Sequence, residues 1–367
     1  MDASIPRHHS TEPTAGERGR ALGEAQADRI AANAEIYLRL FDAGAALDRD
    51  AVEQLGTEAF DRIGSFSPDL AEEMDGIAEG SGVDRALIGA LNARTEILAA
   101  GRGECSTIAV MGNATTDGEP FGIQTWDWHD ELSDGWMHWT IDHPDGHRVE
   151  TMTEAGIVGK VGVSSAGISI LLNILGHRDD GPPIGVPVHV LTRHVLDRAA
   201  TAVDALTMLS TAPMSASSAA TLIADDEDGG AICTVELSPA GPGFVTPDDR
   251  GVLVHTNHFL AEPGRLADTM VRTGPDSVLR LDHARRAMAR QREGAIDTES
   301  VLTALRSHRG GSGAICCHPA ASAEFGNRWR TLATVIVEPA SRRMTLRRNG
   351  PCGHERLQQV AAGAAAR

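Results

Sequence analysis

The sequence predicts an α+β fold in which helices cover the outer faces of two mostly antiparallel sheets. Three observations lead to this prediction. Helical periodicity extends from about residue 16 to residue 98, short β-like segments separated by turn signals follow, and helices and then strands return towards the end. Strict alternation of single strands and helices, which indicates a parallel doubly wound sheet, is not the pattern.

The amino-terminal part, Gly16 to Leu98, is predicted to form three or four helices because its apolar residues recur near the helical period. Ser67 before Pro68 indicates a capped helix start, and an apolar stripe then continues to Ala78. Another helix is predicted from Asp84 to Leu98. These helices precede all the predicted strands.

The pattern changes at a short polar run, Gly101 to Glu104, after which Cys105 to Met111 is typical of a β-strand. Turn signals such as Pro144-Asp145-Gly146 separate the next β-like segments and predict a sheet built from hairpins. These segments are residues 120–128, 136–142, 148–153, 157–163 and 167–173.

The second half is predicted to supply the outer helices and the remaining strands. An Ala-rich amphipathic stretch there is suited to covering one sheet face. The predicted helices are residues 186–198, 202–209, 276–292 and 298–307, and the predicted strands are residues 215–224, 231–237, 252–256, 331–338 and 343–348.

Length and composition limit the class of protein. The 367 residues suggest roughly two domains or one large one, and 41% hydrophobic with 23% charged residues is typical of a chain that buries a core. A formal charge of -18 disfavours nucleic acid and anionic membranes as partners. Residues 1–28 contain no apolar signal-peptide core, and no stretch reaches the roughly 20 apolar residues of a membrane span, so we expect a soluble, cytoplasmic protein.

The five cysteines are Cys105, Cys233, Cys316, Cys317 and Cys352. An odd count without paired CxxC spacing argues against a disulfide framework and against a structural zinc site. At least one thiol is therefore expected to be free. The adjacent pair Cys316 and Cys317 is interpreted as two small strand residues that point to opposite faces.

Cys105 stands at the first position of a predicted strand, directly after the polar connector. A cysteine in such a position is usually just a small buried residue. Cleavage between Glu104 and Cys105 would instead place a thiol and a free α-amine on one residue, and an amine with a pKa of about 7.7 to 8.0 can act as a base. The thiol would reach this state by attacking the Glu104 carbonyl to give a thioester that water hydrolyses.

Several stretches, in order along the chain, resemble the isopenicillin N acyltransferase (acyl-coenzyme A:6-aminopenicillanic acid acyltransferase) family of amino-terminal-nucleophile (Ntn) hydrolases, also called the C45 peptidase family. The resemblance covers roughly Gly16 to Gly350. The stretches that carry it are Gly76 to Gly82, Ala90 to Ile97, Cys105-Ser106-Thr107, Gly122 to Trp128 and His255 to Phe259.

The resemblance implies a four-layer αββα Ntn-hydrolase fold, with two mostly antiparallel sheets between helical layers. It also implies self-cleavage into a helical segment 1–104, the α chain, and a catalytic segment 105–367, the β chain, which stay associated noncovalently. The expected substrate is a small-molecule amide or acyl thioester, with acyl-CoA among the candidates. No cofactor and no metal are expected. Hydrolysis and acyl transfer to an amine both stay open.

The family resemblance also implies the roles of three site residues. Cys105 is the nucleophile and, through its α-amine, the base; Asp127 positions that amine; Asn257 binds the oxyanion, an interaction worth about 2.7 to 4 kcal/mol in comparable sites. Asp127 lies between two tryptophans, so we expect it to be partly buried and to have a partner. A solvated strand-end acid and a turn asparagine are the ordinary alternatives. His255 and His258 are interpreted as structural neighbours.

One position departs from the family pattern. Where the family often carries an arginine near the carboxyl end, this chain has Cys317, and neither Arg309 nor Arg330 can be placed there from sequence alone. The residue before the expected cleavage site is Glu104, where a fungal member of the family has glycine.

Two rival functions are weighed. The first is a zinc hydrolase that uses His129, His138 and His143 with Asp127 or Asp130, but their spacing matches no HxH or HExxH pattern. The second is a ligand-binding protein that keeps the fold without the chemistry. Intact mass separates self-cleavage from both rivals.

Overall fold

The structure is a computed structural model that describes residues 4–98, 104–225 and 230–353. Its helices are α1 (Ala15–Ala25), α2 (Ala27–Ala45), α3 (Arg49–Phe66), α4 (Pro68–Ser81), α5 (Arg85–Asn92), α6 (Arg94–Leu98), α7 (Val188–Arg198), α8 (Ala202–Thr211), α9 (Met270–Thr273), α10 (Asp276–Met288) and α11 (Thr298–Leu305). Its strands are β1 (Arg7–Ser10), β2 (Glu104–Val110), β3 (Phe121–His129), β4 (Trp136–Asp142), β5 (Arg148–Glu154), β6 (Val161–Ser164), β7 (Ile168–Ile174), β8 (Ser218–Ala224), β9 (Ala231–Leu237), β10 (Gly243–Val245), β11 (Val252–His255), β12 (Trp329–Glu338) and β13 (Arg343–Arg348).

The strands form two sheets. One has eight strands in the order β1-β4-β5-β6-β7-β8-β9-β10, and the other has five in the order β11-β2-β3-β12-β13. Every neighbouring pair is antiparallel except β1 with β4, which run parallel. Most connections are hairpins, as the turn signals predict.

The two sheets pack face to face between helices. The outer face of the five-stranded sheet buries Ile108, Val110 and Ile123 against Leu281 of α10 and Leu302 of α11. On the other side, β2 contacts β7 of the eight-stranded sheet, and α7 and α8 cover that sheet from outside. The predicted αββα layering is confirmed, because each sheet has one face for its partner sheet and one for helices.

The amino-terminal helices form a compact layer because glycines let them approach closely. A Cβ added to Gly19 of α1 would lie 1.9 Å from the Glu73 carbonyl oxygen, and one added to Gly76 of α4 would lie 2.2 Å from the Gly16 carbonyl oxygen. Any side chain larger than hydrogen would push the helices apart. The four-residue spacing of Gly19 with Gly23 and of Gly76 with Gly80 places these contacts on one face of each helix.

The first strand ties this amino-terminal segment to the eight-stranded sheet. β1 pairs in parallel with β4, from Arg7 opposite His138 to Ser10 opposite Ile141. The Trp139 indole N–H donates to Ser10 Oγ at 3.0 Å. The sequence analysis missed β1, because four mostly polar residues carry no alternating pattern and are ordered only by pairing with β4.

The continuous helix predicted from Asp84 to Leu98 is wrong, since α5 ends at Asn92 and α6 begins at Arg94. The Asn92 side chain accepts from Val158 N–H at 3.0 Å and donates to the Gly156 carbonyl at 2.9 Å. These tertiary bonds outweigh the local propensity that favours one long helix.

Ser67 is the N-cap of α4 and Pro68 begins the helix, as predicted, although the Ser67 hydroxyl makes no capping hydrogen bond and lies 3.4 Å from His194 Nδ1. One further prediction needs correction. Cys316 and Cys317 do not form a strand; both are buried in an irregular loop between α11 and β12. Cys316 N–H donates to the Ser307 carbonyl there, so the loop backbone is satisfied without a sheet.

Across the described residues, no helix combines the length and the apolar character needed to cross a bilayer.

Candidate active site

Cys105 is the second residue of β2, between β11 and β3 in the five-stranded sheet. It pairs with Trp126 of β3 and belongs to the core between the two sheets. Only 3% of the residue is exposed. The thiol therefore lies in the interior, away from bulk water.

The nitrogen of Cys105 is held by a side chain. Its N–H donates to Asn257 Oδ1 at 2.8 Å, and Asn257 Nδ2 donates to the Ile174 carbonyl at 2.8 Å. Arg280 also donates to Asn257 Oδ1, at 3.1 Å. Because the backbone N–H and the guanidinium only donate and the carbonyl only accepts, these contacts fix which end of the Asn257 amide faces Cys105.

Arg280, on α10, also contacts Cys105 and was not predicted from the sequence. It is 3% exposed, and its Nη1 donates to the Cys105 carbonyl at 3.0 Å and to Ser106 Oγ at 3.2 Å. Asp276 balances its charge at 3.2 Å. Of the two arginines considered earlier, Arg309 is exposed and Arg330 pairs with the Asp130 carboxylate at 2.9 Å.

Asp127 lies on β3, the strand next to β2, as expected. It pairs with Glu104 on one side and Thr331 on the other, and it is fully buried. The Thr331 hydroxyl donates to Asp127 Oδ1 at 2.5 Å. The buried carboxylate thus has the partner that its position between two tryptophans predicts.

The surroundings of Cys105 keep its thiol protonated. Burial, followed by the negative charge of Asp127, raises its pKa to about 11. A hydrogen bond from the Asp127 backbone N–H and the positive charges of Lys160 and Arg280 only partly offset this. Such a thiol needs a base before it can act as a nucleophile at neutral pH.

Lys160, just before β6, lies on the facing sheet with its side chain directed at this site. Its Nζ is 2.9 Å from Glu154 Oε2 and 4.0 Å from the centre of the Trp126 ring, and Trp126 is the cross-strand partner of Cys105. Burial and the neighbouring charge of Arg94 lower the pKa of Lys160 to about 7. About half of the amine is therefore neutral at pH 7.

Lys160 was not predicted from the sequence, although one signal in the sequence sets it apart. It is the only lysine among the 33 basic residues of the chain, and every other one is arginine. Arginine stays charged in proteins, whereas a buried lysine gives up its proton readily. Lys160 is thus the one side chain among these 33 that burial can readily deprotonate.

A buried network supports Lys160. Glu154 also accepts two hydrogen bonds from Arg94, at 3.0 and 2.7 Å, and one from the Tyr37 hydroxyl, which in turn accepts from the Trp128 indole at 2.8 Å. Burial opposes ionisation of Glu154, but the charges of Arg94 and Lys160 outweigh it and lower its pKa to about 2. The carboxylate is therefore ionised beside the positive charges of Arg94 and Lys160.

The stretch from His255 to Phe259 is held by scaffold contacts. His255 Nε2 is 2.8 Å from Glu236, and Asn257 N–H donates to Ser277 Oγ at 2.8 Å. His258 Nδ1 contacts the same Ser277 hydroxyl at 2.8 Å, and burial lowers the His258 pKa to about 4. Both histidines thus have the structural surroundings expected of them, and the stretch fixes the backbone of Asn257.

The histidines of the rival zinc hydrolase lie apart. His129 stacks near Trp329, His138 contacts Glu150 at 3.2 Å, and His143 contacts Asp197 at 3.2 Å. In the described part of the chain these three histidines do not form a group that could hold a metal ion.

A cavity of about 190 Å³ lies at the end of β3, two residues beyond the partner of Cys105. Apolar and aromatic side chains line it together with a comparable amount of polar surface. The principal lining residues are Leu40, Leu98, Trp128, His129, Phe325 and Trp329.

The fold has two facing antiparallel sheets between helical layers, and a cysteine lies near the start of a central strand. These features define a protein of the Ntn-hydrolase fold class. The sequence identifies it further. Residues 114–351 match the model of the acyl-coenzyme A:6-aminopenicillanic acid acyl-transferase family, so the chain belongs to that family. The matched residues include Asp127 and Asn257 and begin after Cys105.

A relative is the 40 kDa form of acyl-coenzyme A:6-aminopenicillanic-acid-acyltransferase from Emericella nidulans. It is 28% identical over 347 residues, which cover 94% of this chain and 93% of that protein. The family resemblance is confirmed, and with it the prediction of an enzyme of the acyl-transferring or amide-hydrolysing kind.

Two solved structures are more distantly similar. The N-acylethanolamine-hydrolyzing acid amidase ortholog of Caenorhabditis elegans has 15% identity and a TM-score of 0.46, over 64% of this chain and 93% of that one. Penicillin V acylase from Agrobacterium tumefaciens has 13% identity and a TM-score of 0.40, over 66% and 83% of the two chains. Likeness at this level does not by itself define an activity.

Proposed function

We propose that this chain is a precursor that cuts itself between Glu104 and Cys105 and then uses Cys105 to hydrolyse an amide or to transfer an acyl group. The observation that carries the proposal is the hydrogen bond of 2.8 Å from the Cys105 nitrogen to Asn257, inside a buried site that also contains Arg280. The nitrogen that would become the new α-amine already has a dedicated acceptor. Membership of the acyltransferase family supports the same chemistry.

Self-cleavage needs a base other than the α-amine, which is still part of a peptide bond in the precursor. We assign this role to Lys160, whose neutral form accepts the proton of the Cys105 thiol. The sulfur then bonds to the carbonyl carbon of Glu104, the Glu104–Cys105 C–N bond breaks, and the nitrogen leaves as an amine after taking a proton. Water hydrolyses the resulting thioester, which frees the Glu104 carboxylate and restores the thiol.

After cleavage the α-amine of Cys105 serves as the base. Asn257 Oδ1 accepts from it, and the positive charge of Arg280 on the same oxygen disfavours the ammonium form. The amine is thereby kept neutral and oriented at neutral pH. Asp127, one strand away, is proposed to position the amine, and Asn257 is proposed to contribute to the oxyanion site when its Nδ2 leaves the Ile174 carbonyl.

The proposed substrate is a small-molecule amide or acyl thioester, with acyl-CoA as the candidate that the fungal relative's name suggests. Its carbonyl carbon bonds to the Cys105 sulfur, and the departing amine or thiol takes the proton that the α-amine holds. Water or an amine then resolves the acyl-enzyme, so access to the site decides between hydrolysis and transfer. The cavity beside Trp128 is proposed to take the acyl group.

Segments 1–104 and 105–367 are proposed to stay together after the cut. Buried ion pairs cross between them: Arg94 with Glu154 at 2.7 Å and Glu73 with Arg193 at 2.8 Å, all at most 1% exposed. Separation would leave these charges without partners in apolar surroundings, which is strongly unfavourable. The α chain and the β chain therefore form one folded unit. A cytoplasmic location stays a prediction from the amino-terminal sequence, and cell fractionation tests it.

Intact-mass spectrometry of the purified wild type beside Cys105→Ala tests the proposal. The wild type is expected to give two masses, residues 1–104 and 105–367, that co-elute in native size-exclusion chromatography. Cys105→Ala is expected to give one full-length mass and no acyl release from a panel of amides and acyl thioesters. Acyl release by a wild type in which residue 104 is still joined to residue 105 would overturn the proposal.

A further inference from the structure

Outside the candidate active site, four side chains that commonly bind metals converge at the edge of the five-stranded sheet. They are His308, Cys316, His318 and Cys352, and their ligand atoms all lie within 4.8 Å of one another. His318 Nε2 is 3.7 Å from Cys316 Sγ, 3.5 Å from Cys352 Sγ and 3.2 Å from His308 Nε2.

These separations agree with the edges of a zinc coordination shell. Zinc binds sulfur at about 2.3 Å and imidazole nitrogen at about 2.0 to 2.1 Å, so a regular tetrahedron with two of each has edges of about 3.3 to 3.8 Å. The three separations measured from His318 Nε2 lie close to those edges, although the residues come from three different stretches of chain. The other pairs of ligand atoms lie within 4.8 Å, so small side-chain movements would complete the shell around an ion.

We propose that His308, Cys316, His318 and Cys352 together bind one Zn²⁺ ion in a tetrahedral site. On binding, the two thiols each release a proton and the two imidazoles bind in their neutral form, so the site with its ion is uncharged. Two soft sulfur ligands without a carboxylate select zinc over magnesium or calcium. Four protein ligands fill the tetrahedron, which is typical of a structural ion rather than a catalytic one.

The site would link three segments that already lie against one another, since Cys316 N–H donates to the Ser307 carbonyl and Arg306 donates to the Pro351 carbonyl. His308 follows α11, Cys316 and His318 lie in the loop before β12, and Cys352 follows β13. The end of β13 approaches this loop closely, since a Cβ added to Gly350 would lie 2.3 Å from Cys316 Sγ. An ion here would fix the loop against the sheet edge.

The loop also touches the candidate active site. Cys317 N–H donates to Thr331 Oγ1 at 2.8 Å, and the Thr331 hydroxyl donates to Asp127. The zinc ion would therefore stabilise the loop that orients the partner of Asp127. The zinc proposal itself rests only on the four ligand atoms and holds whether or not the chain cuts itself.

Metal content of the full chain, purified without chelators, tests the site directly. The wild type is expected to contain one zinc ion per chain by elemental analysis. Replacement with Co²⁺ under reducing conditions is expected to give the visible absorption of tetrahedral cobalt and a thiolate-to-cobalt band in the near ultraviolet. His308→Ala removes an exposed ligand without disturbing the core and should weaken zinc binding at least tenfold, as should Cys352→Ala.

Cys233→Ala is the matched control, because it removes a half-buried thiol on β9 that does not belong to the cluster. It should keep one zinc ion per chain. The proposal is overturned if the reduced wild type contains no zinc and shows no tetrahedral cobalt spectrum on titration with Co²⁺. It is equally overturned if His308→Ala and Cys352→Ala keep the wild-type zinc affinity, or if a peptide map of metal-free protein as purified shows a disulfide between Cys316 and Cys352.

Discussion

Replacement of Lys160 by methionine tests how the precursor activates its thiol. Methionine keeps most of the buried stem but cannot take a proton, and Glu154 keeps its bonds to Arg94 and Tyr37. The fold should therefore survive the change. Removal of a general base typically slows a reaction by about 10² to 10⁴-fold, and we expect self-cleavage to slow within that range.

The pKa values give a sharper signature than the rate alone. With the pKa of Lys160 at about 7, roughly a tenth of the amine is neutral one pH unit below that value and roughly nine-tenths one unit above it. Wild-type cleavage should thus rise about tenfold across this window and then level off. Lys160→Met must wait for thiolate formed by hydroxide, so its rate should keep rising about tenfold per pH unit towards the thiol pKa of about 11.

The assay is a time course of cleavage after cell-free synthesis, with samples transferred to buffers on both sides of pH 7 and separated by denaturing electrophoresis. Lys160→Arg keeps the positive charge but cannot release it, so it should resemble Lys160→Met. Circular dichroism and thermal unfolding check the fold of each variant. Our reasoning is refuted if folded Lys160→Met cuts itself within threefold of the wild type and with the same plateau.

Three further outcomes are expected. Asn257→Ala removes the acceptor of the new α-amine, so kcat of the processed enzyme should fall about a hundredfold or more, and a kcat within threefold of the wild type would contradict this role. Arg280→Met removes a positive charge beside the amine, so the amine pKa should rise and the acid limb of the pH profile of kcat should move to higher pH. Arg286→Met, on the exposed side of the same helix, is the control and should leave the profile unchanged. Gly76→Ala places a Cβ 2.2 Å from a backbone oxygen and should lower the free energy of unfolding by about 1 to 3 kcal/mol. Gly44→Ala, whose Cβ would make only an ordinary contact at 3.5 Å, should not lower it. Equal denaturant midpoints for the two variants would disprove the close packing of α1 and α4.

The sequence predicted those parts of the fold whose information is local. β3 and β4 are close to their predicted limits because β-like residues end at clear turn signals, and α4 begins at Pro68 as predicted. The break between α5 and α6 was missed because it depends on bonds from Asn92 to a turn that is distant in sequence. β1 was missed because only its pairing with β4 makes it a strand.

The same distinction between local information and contacts distant in sequence applies to the residues of the candidate site. Cys105, Asp127 and Asn257 lie in stretches that resemble family motifs. The structure places Cys105 and Asp127 on adjoining strands and Asn257 just after β11, the other neighbour of β2. Arg280 belongs to a helix with several arginines, and only the packing of α10 shows which of them points inward. Lys160 approaches from the other sheet, so no spacing along the chain relates it to Cys105.

The four proposed zinc ligands could not be predicted from the sequence, for a related reason. Residues 308, 316, 318 and 352 belong to three segments, and no paired spacing of the kind found in zinc fingers connects them. The cysteine count alone pointed away from a metal. Only the fold shows that the chain returns to the same place after β13.

The parallel pairing of β1 with β4 affects how segments 1–104 and 105–367, the products of the proposed cleavage, can be produced. If the larger piece were made alone, starting at Cys105, β4 would become an outer strand with its row of amide and carbonyl groups uncovered. Such a row templates association with other molecules. If the chain is cut as proposed, segment 1–104 would therefore protect this edge of segment 105–367, and separate production of the two segments followed by mixing should yield aggregates where the single translation product yields a folded protein.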